Sequence, residues 1–258
     1  MVSQRAEPLS AIGKVVAVVE ATAREHKLSR IAEAVQLPVS TVYRILQELD
    51  AHGWVRSDRD HGYRLDTRLV AMAAQVDRSD LLVRVALPIL QNLVEATGHT
   101  VHMAVRQRDR LVYLAKLEGR SAYQMRSHVG LTIPMHSTAC GKAFLAALPT
   151  DEVRSIVGRA GLPGRTERTI VDVNALLAHL ELVRRQGFAV DDEENEAHVR
   201  CFGALAVDHA GTPVAAVSVS SLTFELDATR QRRHVALITE AASQISQQLG
   251  GPPPAVPS

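Results

Sequence analysis

The stretch from Leu28 to Leu65 constrains this chain most: two short apolar stripes at helical spacing flank a proline and lead into a basic hairpin. Leu28, Ile31, Ala32 and Val35 recur at i, i+3, i+4 and i+7, and Val42, Ile45, Leu46 and Leu49 repeat that spacing. Each set forms one apolar helical face. Between them lies Gln36-Leu37-Pro38. Proline is unfavourable inside a helix but accepted at the start of a new one. Ser29 is the expected N-cap of the first helix. The segment therefore predicts helix, sharp turn, helix, at the length of a helix-turn-helix.

The second helix leaves Ser40, Tyr43, Arg44 and Gln47 opposite its apolar stripe, with no acid on that face until Glu48. A helix entering a polyanion groove needs such a gap. Arg44 and Gln47 are suited to base edges, since a guanidinium fork matches guanine and an amide matches adenine. Ser40, Thr41 and Tyr43 are suited to phosphate oxygens. Trp54-Val55-Arg56 and Tyr63-Arg64-Leu65 read as short strands around a turn at residues 57–62. That hairpin is a wing, with Arg56, Arg59 and Arg64 able to meet a nucleic-acid backbone. A solvated helix pair beside an ordinary hairpin is the competing reading. Turn, polar face and basic wing in register favour double-stranded DNA as the partner.

Length suits about two domains: the chain has 258 residues, 46% hydrophobic but only 3% aromatic, so aliphatic side chains and alanine must fill the cores. A net charge of +1 does not advertise nucleic acid, so DNA affinity must come from local placement of charge. Cys140 and Cys201 are the only cysteines, which makes no disulfide framework and fits reduced thiols in a cytoplasmic protein. The first apolar run, Val15 to Val19, is short and follows Lys14, so no signal peptide is expected, and no run spans a bilayer.

Residues 9–26 are expected to form a supporting helix, giving a DNA-binding domain over 1–66. A linker helix follows over 67–79, a second domain over 80–249, and a disordered proline-rich tail over 250–258. In the second domain a helix runs from Asp80 to Ala96, with Pro88 expected to kink it. Strands are expected at His99–Arg106, Leu111–Leu117 and Tyr123–His128. Helices follow at Ser137–Leu148, from Pro149 on, and at Asp172–Gln186, stopped by Gly187. A hairpin of Cys201–Asp208 and Pro213–Ser220 precedes a long final helix marked by Val235, Ile238, Ala242, Ile245 and Leu249. The fold class is α+β with a mainly antiparallel sheet.

Three segments of the second domain can carry chemistry. From Ile133 to Lys142 a strand end delivers small residues to a helix start, where free backbone N–H groups suit an anion; close helix packing through Ala139 and Gly141 explains the same residues. Asp191-Asp192-Glu193-Glu194-Asn195-Glu196 reads as a solvated loop. It lacks the glycine-bearing spacing of a calcium loop, and His136, His198 and Cys201 lack paired zinc-ligand spacing, so neither metal nor cofactor is expected. Val217-Ser218-Val219-Ser220 places both hydroxyls on one strand face, for a polar ligand or for strand-edge hydrogen bonds.

The chain resembles the IclR family of bacterial transcription regulators from about Leu9 to Leu249. Ser40-Thr41-Val42-Tyr43-Arg44 and Tyr63-Arg64-Leu65 look like its recognition helix and wing end. Thr97-Gly98-His99-Thr100-Val101-His102 resembles its domain-opening strand. Pro134-Met135-His136 through Gly141-Lys142, Asp191 through Asn195 with Val199-Arg200-Cys201, and Ser218-Val219-Ser220 are close to its ligand-domain signatures. The resemblance implies an N-terminal winged helix-turn-helix and a C-terminal GAF-like effector domain. It also implies homodimers or homotetramers on palindromic operators. It carries the effector site to Met125, Ile133, Ala139, Cys140, Asp191, Cys201, Ser218 and Ser220. Asp66, Cys140 and His198 depart from residues common in the family at those positions.

A ligand-responsive, non-enzymatic regulator binding a small carboxylic acid is thus the leading expectation. No aromatic residue is expected to stack on the effector, which favours a compact keto or hydroxy acid. The competing reading is a cysteine-dependent hydrolase with Cys140 as nucleophile and His136 as base, or a redox sensor in which Cys140 and Cys201 pair.

Overall fold

The computed structural model describes residues 9–58, 61–73, 78–120 and 125–252. The chain divides into two compact units, Met1–Asp77 and Arg78–Ser258.

In the first unit, α1 (Ala11–Thr22) starts at Ser10, whose side chain accepts the Gly13 amide at 3.1 Å. α2 (Leu28–Val35) and α3 (Val39–Ala51) are the two striped helices. Ser29 does not cap α2. The helix starts two residues earlier than that reading requires, with Lys27 at the cap position and its carbonyl accepting the Arg30 and Ile31 amides. Burial of Ile31 and packing of Leu28 fix this start without a side-chain cap. α2 ends on Gln36 in the left-handed conformation, φ 54°, and Pro38 stands at the N-cap of α3. All eight stripe residues join one core with Val18, Val55 and Tyr63. The wing is an antiparallel hairpin of β1 (Val55–Asp58) and β2 (Gly62–Leu65). It is longer than expected, because Ser57 and Asp58 pair with Tyr63 and Gly62 instead of turning. Arg59 lies outside the described residues. α4 (Thr67–Ala73) follows, with the Arg68 guanidinium donating to the His52 carbonyl and lying 5.9 Å from the Trp54 ring centroid.

Among the described residues, the second unit is built on a six-stranded, wholly antiparallel sheet. Its strands are β3 (Thr100–Gln107), β4 (Arg110–Leu117), β5 (Thr132–Ile133), β6 (Ala189–Asp192), β7 (Val199–Val207) and β8 (Pro213–Leu222), in spatial order β5-β4-β3-β8-β7-β6. α5 (Arg78–Thr97) and α9 (Ala228–Gln248) pack on one face, through Leu90, Leu93, Ile238 and Ile245 against Val101, Met103, Val217 and Val219. α6 (Ala139–Ala146), α7 (Thr150–Ala160) and α8 (Val173–Gln186) cover the other, around Phe144, Leu145, Ile156, Leu176 and Leu180.

Four details depart from the sequence expectation. α5 runs unbroken through Pro88, which is exposed, so the hydrogen bond that proline removes is lost on the side facing water. Residues 125–128 form no strand, and the edge strand is Thr132–Ile133, paired with Val112 and Leu111; Tyr123 lies outside the described residues. The acidic run is not a solvated loop: Asp191 is in β6, and Asp191 and Glu194 are 2% and 4% exposed. At the C-terminus the Gly251 amide donates to the Ser246 carbonyl at 2.7 Å, so the chain stays against α9 through that residue.

Candidate functional site

The outer face of α3 carries Ser40, Tyr43, Arg44 and Gln47 exposed, with Thr41 half-buried. Val42, Leu46 and Leu49 are buried on the other side, so packing of the apolar stripe determines which residues face outward. Arg56 and Arg64 are exposed and paired across the wing. The wing is tied to the helices by the Tyr63 amide, which donates to the His26 carbonyl at 2.8 Å, and by Tyr63 itself in the core.

In the second unit, one small cavity is lined by Met125, Ala139, Cys140, Asp191, Cys201, Ser218 and Ser220, seven of the eight sequence-derived residues, joined by Tyr113, Thr138, Asn195, Glu196 and Val199. Three elements meet there. On β8 the alternation sends Val217 and Val219 into the α5–α9 core and Ser218 and Ser220 to the opposite face. On β7, Cys201 lies opposite Ser220, and its thiol donates to the Ser220 hydroxyl at 3.2 Å. α6 brings its N-terminus in from above. Thr138 caps α6, donating to the Pro134 carbonyl at 2.6 Å and accepting the Gly141 amide at 3.1 Å. Among the described residues the amides of Ala139 and Cys140 have no acceptor. Two glycines allow this close approach. A Cβ on Gly141 would lie 2.3 Å from the Met135 backbone, and one on Gly203 of β7 would lie 2.7 Å from the Ala139 carbonyl carbon.

The eighth residue, Ile133, is buried elsewhere. It borders a separate depression of about 220 Å³ with His136, Asp109 and Arg165. His136 meets the Pro163 carbonyl at 3.1 Å, and the Cys140 thiol donates to the Ala216 carbonyl at 3.6 Å. The thiol–imidazole pair of the competing enzyme reading is therefore not assembled. Burial pushes the Cys140 thiol up to about 12 and Cys201 well above its ordinary value, the opposite of nucleophile activation.

Electrostatics set the character of the cavity. Burial raises the Asp191 carboxyl to about 7. Its Oδ1 accepts the amides of Glu194 (2.8 Å) and Asn195 (3.2 Å), folding the acidic segment over the site. Lys142 on α6 is wholly buried and ion-paired with Glu194. Burial together with the nearby Lys116 cation lowers His102 to about 3, and its ring stacks on Tyr113 at 4.4 Å between centroids. Burial also pushes the Tyr113 hydroxyl up. Apart from Asp191 and Glu196, the lining side chains carry no acidic or basic charge at neutral pH. Tyr113 corrects the expectation that no aromatic side chain is available to an effector. The sequence holds no local signal for it, since only the pairing of β4 with β3 and β5 brings Tyr113 to the cavity. The void is about 20 Å³, enough for one water. An organic effector needs Met125 or the acidic segment to move. Among the described residues no cluster could hold a metal ion and no helix is long and apolar enough to cross a membrane.

Residues 13–59 match the family described as the IclR helix-turn-helix domain, and residues 73–247 that described as bacterial transcriptional regulator IclR C-terminal. The chain is 32% identical over 247 residues to the HTH-type transcriptional regulator KdgR of Escherichia coli, covering 95% of this chain and 94% of that one. Its fold is similar to that of the Thermotoga maritima IclR crystal structure, with 29% identity, TM-score 0.64 and coverage of 93% of this chain and 98% of the other. It is also similar to an IclR homologue from Microbacterium hydrocarbonoxydans complexed with 4-hydroxybenzoate, with 26% identity, TM-score 0.61 and coverage of 93% and 99%.

Proposed function

Because this chain belongs to the IclR family of bacterial transcriptional regulators, we propose that its DNA binding is controlled by a small carboxylate seated between the α6 N-terminus and the Ser218/Ser220 face. The family is one of DNA-binding transcription regulators, not enzymes. The observation that carries the effector reading is the meeting of two amides without acceptors, at Ala139 and Cys140, with two buried hydroxyls in one cavity. Such amides at a helix start suit a carboxylate, and the helix dipole adds stabilisation. The serines and the protonated form of Asp191 then meet a hydroxyl or keto oxygen further along. Asp191 and Glu196 disfavour a second carboxylate at that end. Tyr113 gives a ring-bearing hydroxy acid a stacking partner, in keeping with the 4-hydroxybenzoate bound to the related homologue.

We further propose that the protein binds a palindromic operator as a homodimer or a pair of dimers. Ile12 and Val16 of α1 are 77% and 50% exposed, with Leu9 and Val15 beside them, an apolar face that a second copy would cover. Paired half-sites raise affinity through effective concentration. Calorimetry with a panel of small hydroxy and keto acids, on wild type and on a Ser218→Ala/Ser220→Ala variant, tests the effector reading. Unchanged affinity in the variant, or binding only of uncharged or cationic compounds, overturns it. Footprinting that protects a single half-site overturns the operator reading.

A further inference from the structure

We propose that the cleft between the end of α5 and the start of α9 is a second small-molecule site, one that takes a phosphomonoester bearing a hydroxyl. The cleft has a volume of about 380 Å³ and is separate from the effector cavity. Three guanidiniums border it: Arg120 from the segment after β4, and Arg230 and Arg233 from α9.

The start of α9 is built against the usual rule. Cations near a helix N-terminus oppose the dipole, and acids belong there. α9 has no acid in its first turn, yet it carries Arg230, Arg232 and Arg233 in its first two turns. Its cap, Asp227, is engaged with the Arg230 amide at 2.8 Å. Arg230 is partly anchored, donating to the Glu225 carbonyl at 2.7 Å. Arg120 and Arg233 have no acid within ion-pair distance among the described residues. A bound anion offsets both the mutual repulsion of these arginines and their clash with the helix dipole.

The floor of the cleft lacks partners too. His234 is 3% exposed, and its Nδ1 has no hydrogen-bond partner. Glu225 Oε2 is buried without a hydrogen bond, the His99 ring nitrogen standing 3.6 Å away. Buried polar atoms in proteins are normally satisfied. The Glu225 oxygen accepts, so it calls for a donor, which a ligand hydroxyl supplies. Three arginines against two carboxylates, Glu225 and the Asp227 that stands 3.8 Å from Arg230, leave one positive charge, which partly balances an ionised phosphomonoester. Its tetrahedral oxygens meet guanidiniums arriving from two elements, whereas one guanidinium already saturates a planar carboxylate. His99 and Glu225 also border a narrow crevice with Met125, Val199 and Ser220, three residues of the effector cavity. Occupation of the cleft is thus one residue layer from the effector.

Titration calorimetry on the full chain tests this, with glycerol phosphate as probe and inorganic phosphate and glycerol as controls. Glycerol phosphate should bind saturably, inorganic phosphate more weakly, and glycerol not at all. Arg233→Gln and Arg120→Gln, both at exposed positions, should each weaken glycerol phosphate about tenfold or more, while Ser218→Ala/Ser220→Ala leaves it unchanged. Absence of saturable binding, equal affinity in the arginine variants, or loss in the serine variant would overturn the proposal, the last by moving the phosphate to the effector cavity.

Discussion

Arg56 and Arg64 stand directly opposite each other in the β1–β2 ladder, both exposed. Like charges so placed oppose the hairpin by a few tenths to about 1 kcal/mol. Asp66 feels Arg56, and its carboxyl is held below the usual range mainly by the Thr67 amide and only slightly by that arginine. An anion from outside, such as a DNA phosphate on each arginine, would relieve the arrangement. Replacing both with glutamine should reduce the dependence of log affinity on log salt by about 0.9 for each phosphate no longer neutralised, on operator and unrelated DNA alike. Anisotropy titrations over a salt series measure it; an unchanged slope would remove the wing from the DNA interface.

Arg44→Ala should act differently. Arg44 is exposed on the outer face of α3, and its guanidinium has the donor geometry to read guanine. Removing one such guanidinium–guanine pair weakens specific binding by about 1–3 kcal/mol. Competition between operator and scrambled duplex decides the role, since equal weakening on both would make Arg44 a phosphate-binding residue.

The helical stripes are legible in the sequence because the four apolar residues of each stripe answer to one local period, and all eight reach the core. The Ser218/Ser220 face is legible for the same reason, with a period of two. Ile133 falls outside the cavity because β5 is two residues long, and no period can be read from two residues. The acidic run looks solvated in sequence because its burial depends on Lys142, fifty-two positions from its partner Glu194. Sequence shows the charges but not that distant cation. Tyr113 gives no sign of its role until β4 has paired with β3 and β5, which turns its wall to the cavity.

Lys142→Met should therefore cost about 3–5 kcal/mol, because it leaves Glu194 buried without its cation. The Lys142→Met/Glu194→Leu double variant should recover most of that stability, since replacing both partners by apolar groups is often neutral. Denaturant unfolding of wild type, both single variants and the double variant gives the cycle. A single-variant cost below about 1 kcal/mol would mean that the loop opens to solvate the acid.

Neither thiol should react in the native protein. Cys140 and Cys201 are buried, and burial raises both thiols above their ordinary values, so little thiolate exists near pH 8. A colorimetric thiol reagent should therefore modify none before unfolding and two after it. Rapid modification of one thiol in the folded protein would restore the redox-sensor reading.

The last prediction follows from Asp191, whose burial raises its carboxyl to about 7. An aspartate in an unfolded chain titrates near 4, about 3.9. The folded state therefore binds this proton more tightly. Its contribution to stability is fully present below about pH 4 and is lost as pH rises to about 7, flattening above that, with a total change on the order of a few kcal/mol. Asp191→Asn keeps an oxygen for the Glu194 and Asn195 amides but cannot ionise. The stability difference between variant and wild type should therefore grow in favour of asparagine from about pH 4 to 7. A carboxylate effector should follow the same group. Below about pH 7 Asp191 is neutral and its repulsion disappears, so wild-type affinity should rise as pH falls through that range, while the asparagine variant should lack this dependence. Unfolding and titration calorimetry at pH values from 5 to 8.5 measure both. Parallel pH profiles in wild type and variant would show that Asp191 is already ionised, with Lys142 compensating it, and would remove it from the effector's electrostatics.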